Sequence, residues 1–348
     1  MIRFPQLKTI FLSLLLALSL ATLAILSVTF LILSNFSRQT GNSPWYYLST
    51  FKSSLFPSAK TIARQNFIIL GLEKRDDWLE KTESTDTIIF ASLEFKTGRL
   101  YLVSLPRDLW YHPFSSKINN IYPASKINNQ ANFDYLKSAF SDLTHQPIDH
   151  VIILETKNLE TLLSLVGGVD VYLDQGFKDT SYPNPAYITQ PSKNTPIYIT
   201  VEYPSGWNHI NQSNLAPFVR SRKSSDTASS GGTDLGRIKR QQLLIEAILG
   251  KLKSRQFIFN ISNLATLYNF FHHDLVHTLN DQDLLTAALH ANLSNLTIRK
   301  IDLPVGQTAR DGLIYYPGQP YQGQWVFLPS DPSYQDLQSF IHSSIYAL

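Results

Sequence analysis

Thr87–Ser104 reads TIIFASLEFKTGRLYLVS. Two short apolar runs, Thr87–Leu93 and Leu100–Ser104, flank Lys96-Thr97-Gly98. Runs of roughly four to eight residues rich in Ile, Val, Leu and Phe, bounded by turn residues, are the pattern of buried strands. The glycine-containing connection folds the second run back on the first as a hairpin. Working outward, Asn66–Leu72 (NFIILGL) and His150–Leu154 (HVIIL) have the same composition. Helical spacing marks Phe133–Leu143, Asn158–Val166, a segment from Asp234, and residues Asp281–Leu293. Strands interleaved with helices predict an α/β (α+β layered) domain with a central sheet flanked by helices, and the hairpin makes that sheet mixed.

The 348 residues carry 43% apolar and 16% charged residues with a net charge of +3. That is an ordinary core with no global field for nucleic acid, so the basic residues act locally. With no cysteine, a disulfide framework, a thiolate metal site and a cysteine nucleophile are excluded. At the front, Ile10–Leu33 is a run of 24 residues without a charge. As a helix it would be ~36 Å long, enough to cross a ~30 Å hydrocarbon core. Arg3 and Lys8 precede it, which predicts a short cytoplasmic N-terminus and an extracytoplasmic remainder in the cell membrane. A cleaved signal peptide would have a shorter apolar core and a small-residue cleavage site, so an anchor is expected. The organisation follows as a tail (1–9), an anchor (10–33), a linker (34–63), a catalytic domain (64–255) and a C-terminal completion of that domain (256–348). In the linker, Trp45, Tyr46 and Tyr47 suit either a membrane interface or packing onto the domain.

Charged residues gather where the strands end. Glu73 follows the first, Asp86 stands just ahead of the second, and Arg107-Asp108 follows the third, with Lys117-Ile118-Asn119 beyond. Ligand sites in α/β sheets lie just outside strand ends. The densest basic stretch is Phe218–Gln242, FVRSRKSSDTASSGGTDLGRIKRQQ. Reading Phe218–Ser221 as a strand puts Arg220 and Arg222 on one face. From Asp234 the apolar spacing becomes helical, with Asp234 placed to cap the first turn. Arg237 and Gln241 are then neighbours four residues apart, with Arg240 beside them. Guanidinium forks and a helix N-terminus suit an anion with several oxygens, such as a phosphate. His272, His273 and His277 lack the acidic pattern of a metal motif and are read as ordinary surface or core histidines.

The order S-T-D-T at Asp86, S-L-P-R-D at Arg107–Asp108, K-I-N at Lys117–Asn119, L-V-G-G-V-D-V at Gly167–Asp170, V-R-S-R at Arg220–Arg222 and D-x-G-R-x-x-R-Q at Asp234–Gln241 resembles the LytR–CpsA–Psr family. The short tail, single span and outer domain resemble it as well. The resemblance implies a phosphotransferase that moves a glycopolymer from a polyprenyl-pyrophosphate carrier to a peptidoglycan hydroxyl, with the membrane as its platform. It implies that Arg107, Arg220, Arg222, Arg237 and Gln241 hold the phosphates. It also implies that Lys117 and Arg240 assist in binding, and that Asp86 with Glu73 holds Mg²⁺ or Mn²⁺. Glu73 stands where the family usually has Asp, and Ser224–Gly232 is an insertion between two motifs. Glu73 and Asp108 are both open as general base, and a metal-bound hydroxyl needs none. Part of the apolar surface, in residues 148–165 and the helix 243–252, would form a channel for the lipid tail. A carrier hydrolase using the same site, and a non-catalytic module binding anionic lipid or wall polymer, are the two alternatives. Paired carboxylates among so many arginines favour metal chemistry over the second.

Overall fold

The computed structural model describes residues 4–58, 63–76, 81–127, 130–221, 234–292 and 295–346. Helix α1 (Phe4–Thr40) is followed by α2 (Pro44–Ser54), and the sheet begins with β1 (Arg64–Asp76), β2 (Lys81–Glu94) and β3 (Arg99–Ser104). Next come α3 (Phe133–Thr144), β4 (His150–Glu155), α4 (Thr156–Val166), β5 (Val169–Leu173), β6 (Gly206–Ile210), α5 (Leu215–Arg220) and α6 (Asp234–Leu252). The chain closes with α7 (Ile261–Asn269), β7 (Val276–His277), α8 (Asp281–His290), β8 (Thr297–Ile301), β9 (Val305–Gly306), β10 (Ile314–Tyr315), β11 (Leu328–Pro329) and α9 (Gln335–Tyr346).

Six strands form the central sheet in the order β7-β4-β1-β2-β3-β8. The pairs β1/β2 and β2/β3 are antiparallel, whereas β1/β4 and β3/β8 are parallel. The mixed sheet expected from Thr87–Ser104 is therefore present. Alternation along the strands sorts the core into two layers. Ile68, Leu70, Ile88, Phe90 and Val103 pack against Leu136, Phe140 and Leu143 of α3 and Leu337 and Ile341 of α9. On the other face, Ile69, Ile89, Ala91 and Leu102 meet Ile245 of α6. A second core joins Leu163 of α4, Val169 and Val171 of β5, Phe218 of α5 and Leu244 of α6. The helix–sheet–helix arrangement leaves a seam between β1, β2, α4 and α6.

One expectation about local structure changes. Phe218–Ser221 is not a strand: Leu215–Arg220 is helical, with Leu215, Phe218 and Val219 all buried. Their i, i+3, i+4 spacing is helical, and Pro217 is tolerated because it lies in the first turn. Within the expected linker, α1 runs on to Thr40 and α2 spans Pro44–Ser54. Ser43 caps α2 by accepting from the Tyr46 N–H at 3.2 Å, with Pro44 at the first helical position.

Helix α1 contains a stretch, Ser13–Thr40, with mean hydropathy 2.5 and none of its most apolar window buried. It is long and apolar enough to cross a membrane. Its far end is tied to the body through aromatic packing of Phe36 on Tyr47 and Tyr268, at 5.1 and 5.6 Å. Asp281 accepts from the Tyr46 hydroxyl at 2.6 Å and the Tyr268 hydroxyl at 2.8 Å. It also meets His272 Nε2 at 2.6 Å. The hydrogen bond to Asp281 is the largest cause that pushes the Tyr46 pKa up to about 12. Tyr46 and Tyr47 thus pack onto the domain, while Trp45 is 74% exposed. His272 thus lies where α1 and α2 join the body. Among the described residues there is no group of three or more His, Asp or Glu placed to hold a metal.

A buried and a half-buried histidine give the fold a pH dependence. His150 packs on Phe67 at 5.4 Å, and burial pushes its pKa down against the opposing pull of Asp283 and Asp149. Burial lowers His277 likewise. The unfolded chain titrates near about 6.5, so below that pH it takes up protons that the fold refuses. Stability from these groups is complete above about 6.5 and is lost as the pH falls further. The melting temperature is expected to drop between about pH 7.5 and 5.5, and His150→Gln should make that drop smaller. A melting temperature flat across this range would refute the assignment.

Candidate active site

The register of β1 on β2 sets the centre of the site. Gly71 pairs with Thr87 but Leu72 pairs with Thr85, so Asp86 is the extra residue of a β-bulge. A bulge re-aims one side chain out of the pleat and is common beside active sites. Asp86 therefore does not open the strand, as its sequence position predicts; it sits inside a longer β2. Gly71 is required opposite it, because a Cβ there would stand 2.8 Å from Thr87 Cβ.

The Asp86 carboxylate is buried and holds two arginines. Its Oδ1 accepts from Arg107 Nη1 at 2.5 Å and from Ser84 Oγ at 3.1 Å. Arg237, 2% exposed, brings Nη1 to 3.7 Å from Oδ2 and donates through Nη2 to the Asp86 carbonyl at 3.2 Å. The chain of charge continues outward. Arg107 Nε lies 3.3 Å from Asp108 Oδ2, and Lys117 Nζ lies 2.8 Å from Asp108 Oδ1. Backbone bonds fix this loop. The Asn119 N–H donates to the Arg107 carbonyl at 3.2 Å, and the Thr85 hydroxyl donates to the Asn119 carbonyl at 2.8 Å. The Lys117–Asn119 segment is thereby strapped across the strand that carries Asp86.

Helix α6 supplies the opposite wall. Arg237, Gln241, Leu244 and Ile248 recur at helical spacing on one face, so the arginine shares the face that packs inward. Gln241 Nε2 donates to the Val219 carbonyl at 3.2 Å, and Gln242 Nε2 donates to Ser104 Oγ at 2.9 Å. Arg220, at the end of α5, reaches Thr156 Oγ1 of α4 at 3.4 Å. A cleft with a cavity volume of about 80 Å³ lies between these walls. Asp86, Arg220, Arg237 and Gln241 line it together with Ile69, Leu154, Leu159, Leu244 and Ile245.

The structure thus brings together Asp86, Arg107, Asp108, Lys117, Arg220, Arg237 and Gln241. Arg240 is a correction: its guanidinium does not line the cleft. It donates to the Phe218 carbonyl at 2.8 Å and to the Ser221 carbonyl, and stacks over Phe177 at 4.0 Å. It pins the end of α5, and hence Arg220, in place. The alternation of Arg220 with Arg222 fails because α5 is helical; Arg222 itself lies outside the described residues, as does the Glu73 side chain. The glycines of Gly167–Asp170 serve the fold. Gly167 and Gly168 have φ of 72° and 77° and end α4 in a left-handed cap that turns into β5. Thr87 and Thr156 line the cleft without any sequence signal of their own.

One carboxylate lines the cleft among the described residues. A Mg²⁺ ion is commonly held by one or two carboxylates together with substrate phosphates, so Asp86 fits that donor set.

Comparison with known proteins bears on the family and the fold. Residues 38–325 match the LytR–CpsA–Psr family. The chain is 23% identical over 192 residues to a protein of Oceanobacillus iheyensis named polyisoprenyl-teichoic acid–peptidoglycan teichoic acid transferase TagU, covering 54% of this chain and 52% of that one. The chain thus spans about half the length of that relative. It is 23% identical over 258 residues to the protein of the same name from Bacillus cereus, covering 72% of each. The crystal structure of gbs0355 from Streptococcus agalactiae superposes with a TM-score of 0.57 at 17% identity, covering 82% of this chain and 89% of that one. It has the same fold.

Asp86 is the counter-charge for two arginines, so removing it leaves buried positive charge uncompensated. Asp86→Ala is expected to destabilise the domain by about 3–5 kcal/mol, read by chemical denaturation. Asp108→Ala, at the rim, should cost less than about 1 kcal/mol. Equal effects of the two substitutions would contradict the central position assigned to Asp86.

Proposed function

Because the chain belongs to the LytR–CpsA–Psr family, we propose that it is an extracytoplasmic, membrane-anchored phosphotransferase. It takes a glycopolymer from a polyprenyl-pyrophosphate carrier and joins it to peptidoglycan. The observation that carries this reading is the mixed lining of the cleft. Its aliphatic side chains suit an isoprenoid, and the arginines among them suit a pyrophosphate. The TagU relatives are named for such a transfer. The apolar helix α1 keeps the site beside a membrane-bound carrier, with the tail bearing Arg3 and Lys8 on the inner side.

In the reaction, an acceptor hydroxyl oxygen attacks the sugar-linked phosphorus. The new P–O bond forms as the bond to the bridging oxygen breaks, polyprenyl phosphate leaves, and the hydroxyl proton passes to solvent or a base. Negative charge builds on the phosphoryl oxygens and on the leaving phosphate. Arg220 and Arg237 face those oxygens from two helices and need no reorganisation. Arg107 is held by Asp86 and Asp108 on the opposite side, and Lys117 fixes Asp108 in turn. Gln241 orients a further oxygen. Mg²⁺ or Mn²⁺ at Asp86, with Glu73 as a second carboxylate, would add Lewis-acid neutralisation of the same charge.

Arg220→Ala should weaken polyprenyl-pyrophosphate binding by about 1.5–3 kcal/mol, the range for hydrogen bonds to charged groups. A titration of the detergent-solubilised chain checks this, and unchanged affinity would displace the phosphate site. Turnover of the pyrophosphate-linked donor should depend on divalent cation, be abolished by chelator and return with Mg²⁺. Release of polyprenyl phosphate without acceptor product would indicate hydrolysis in place of transfer.

A further inference from the structure

Gly312–Leu328 reads GLIYYPGQPYQGQWVFL and contains no charged residue. It carries two exposed aromatic rings, Tyr316 (41%) and Trp325 (53%). They lie parallel, with 3° between planes and centroids 5.7 Å apart. An apolar segment of this kind at the surface would ordinarily be loose, but this one is braced. Tyr321 and Gln324 exchange backbone hydrogen bonds at 2.8 and 3.0 Å. Between them Gln322 and Gly323 both have positive φ, 49° and 75°. That is the mirror-image turn of a tight hairpin, and Trp325 follows it directly.

The brace ends on the catalytic loop. Tyr321 packs edge-on against Trp110 at 5.2 Å, and Trp110 is 1% exposed. Tyr316 meets Phe327 edge-on at 5.6 Å. The Phe327 N–H donates to the Asp108 carbonyl at 2.9 Å, and the Trp110 N–H donates to the Phe327 carbonyl at 2.8 Å. The loop that holds Arg107 and the strand that follows Trp325 are therefore hydrogen-bonded neighbours. One residue, Val326, separates Trp325 from Phe327, so the Trp325 Cα lies within roughly 16 Å of that of Arg107.

We propose that Tyr316 and Trp325 form a sugar-stacking subsite for the acceptor glycan, an uncharged strand of N-acetylhexosamine units. The proposal rests on the transfer reaction above and names where its acceptor lies. Aromatic faces carry negative quadrupolar charge and attract the positive C–H face of a pyranose. Gln322 and Gln324, both exposed beside the rings, match the amides of N-acetyl groups as donors and acceptors. The absence of charge selects against the other glycan in the reaction: a polyanionic polymer gains nothing from a neutral surface. The position fits as well: the hydrogen bonds of Phe327 to Asp108 and Trp110 hold the platform next to the loop that carries Arg107.

The test uses the full chain in detergent micelles and titrates it with the N-acetylglucosamine tetramer, followed by calorimetry. Trp325→Ala and Tyr316→Ala should each lower the affinity about three- to tenfold, and Trp325→Phe should retain most of it. Trp207→Ala, which removes another exposed ring at 73% exposure that pairs with Tyr172, should leave it unchanged. No binding by the unsubstituted chain, equal binding by Trp325→Ala, or competition at Trp325 by poly(glycerol phosphate) would each overturn the proposal. A separate titration with polyprenyl pyrophosphate distinguishes the two readings. Carrier binding without tetramer binding removes the platform alone. Tetramer binding through Trp325 without carrier binding removes the transferase reading and leaves a glycan-binding surface.

Discussion

The site depends on one buried carboxylate held between two arginines. Asp86 leaves the pleat at a bulge, and both of its oxygens face guanidinium groups, from Arg107 after β3 and from Arg237 on α6. Burying one cation beside a sheet without a counter-charge would be prohibitive. With Asp86 in place, a helix and a loop that are far apart in sequence can converge on one point. Everything else in the cleft is referred to that point. The Lys117–Asn119 strap holds the Arg107 loop, and Arg240 ties α5 to α6 so that Arg220 enters from the side.

This arrangement also separates affinity from rigidity. Arg237 and Arg240 are both 2% exposed and are three residues apart on the same helix, yet only the first lines the cleft. Arg240 spends its hydrogen bonds on carbonyls at the end of a neighbouring helix. A guanidinium with five donors in a fixed fork can brace a short helix in this way, where an ammonium could not match the geometry. At the other end of the domain a comparable anchor, Asp281 with Tyr46, Tyr268 and His272, joins the apolar helix to the body. The orientation of the cleft relative to that helix is thus set by packed side chains, not by a free tether.

Much of the fold was legible in the sequence. Strands rich in Ile and Val, a hairpin at Lys96-Thr97-Gly98 and helices at regular spacing specify a mixed layered sheet, because burial has to follow the backbone period. The apolar N-terminal helix and the ordered motifs of the family were equally plain. Phe218–Ser221 was misread as a strand because two arginines at alternate positions hide the helical spacing of Leu215, Phe218 and Val219. The inward face of α6 is obscured in a related way. Periodicity counts apolar residues, and here buried arginines occupy positions that hydrophobic residues would normally hold.

The sequence by itself therefore determined the layers, the span-length helix and the kinds of charge available, since these follow from local spacing and composition. Only the tertiary structure decided which charge does what. The bulge at Asp86 arises from the pairing of β1 with β2, and a shift of register by one residue cannot be read from either strand alone. The bracing role of Arg240 and the hydrogen bonding of Phe327 to the loop after β3 arise from contacts between segments distant in sequence. Their energies depend on which carbonyl, ring or carboxylate stands opposite, and no local pattern encodes that.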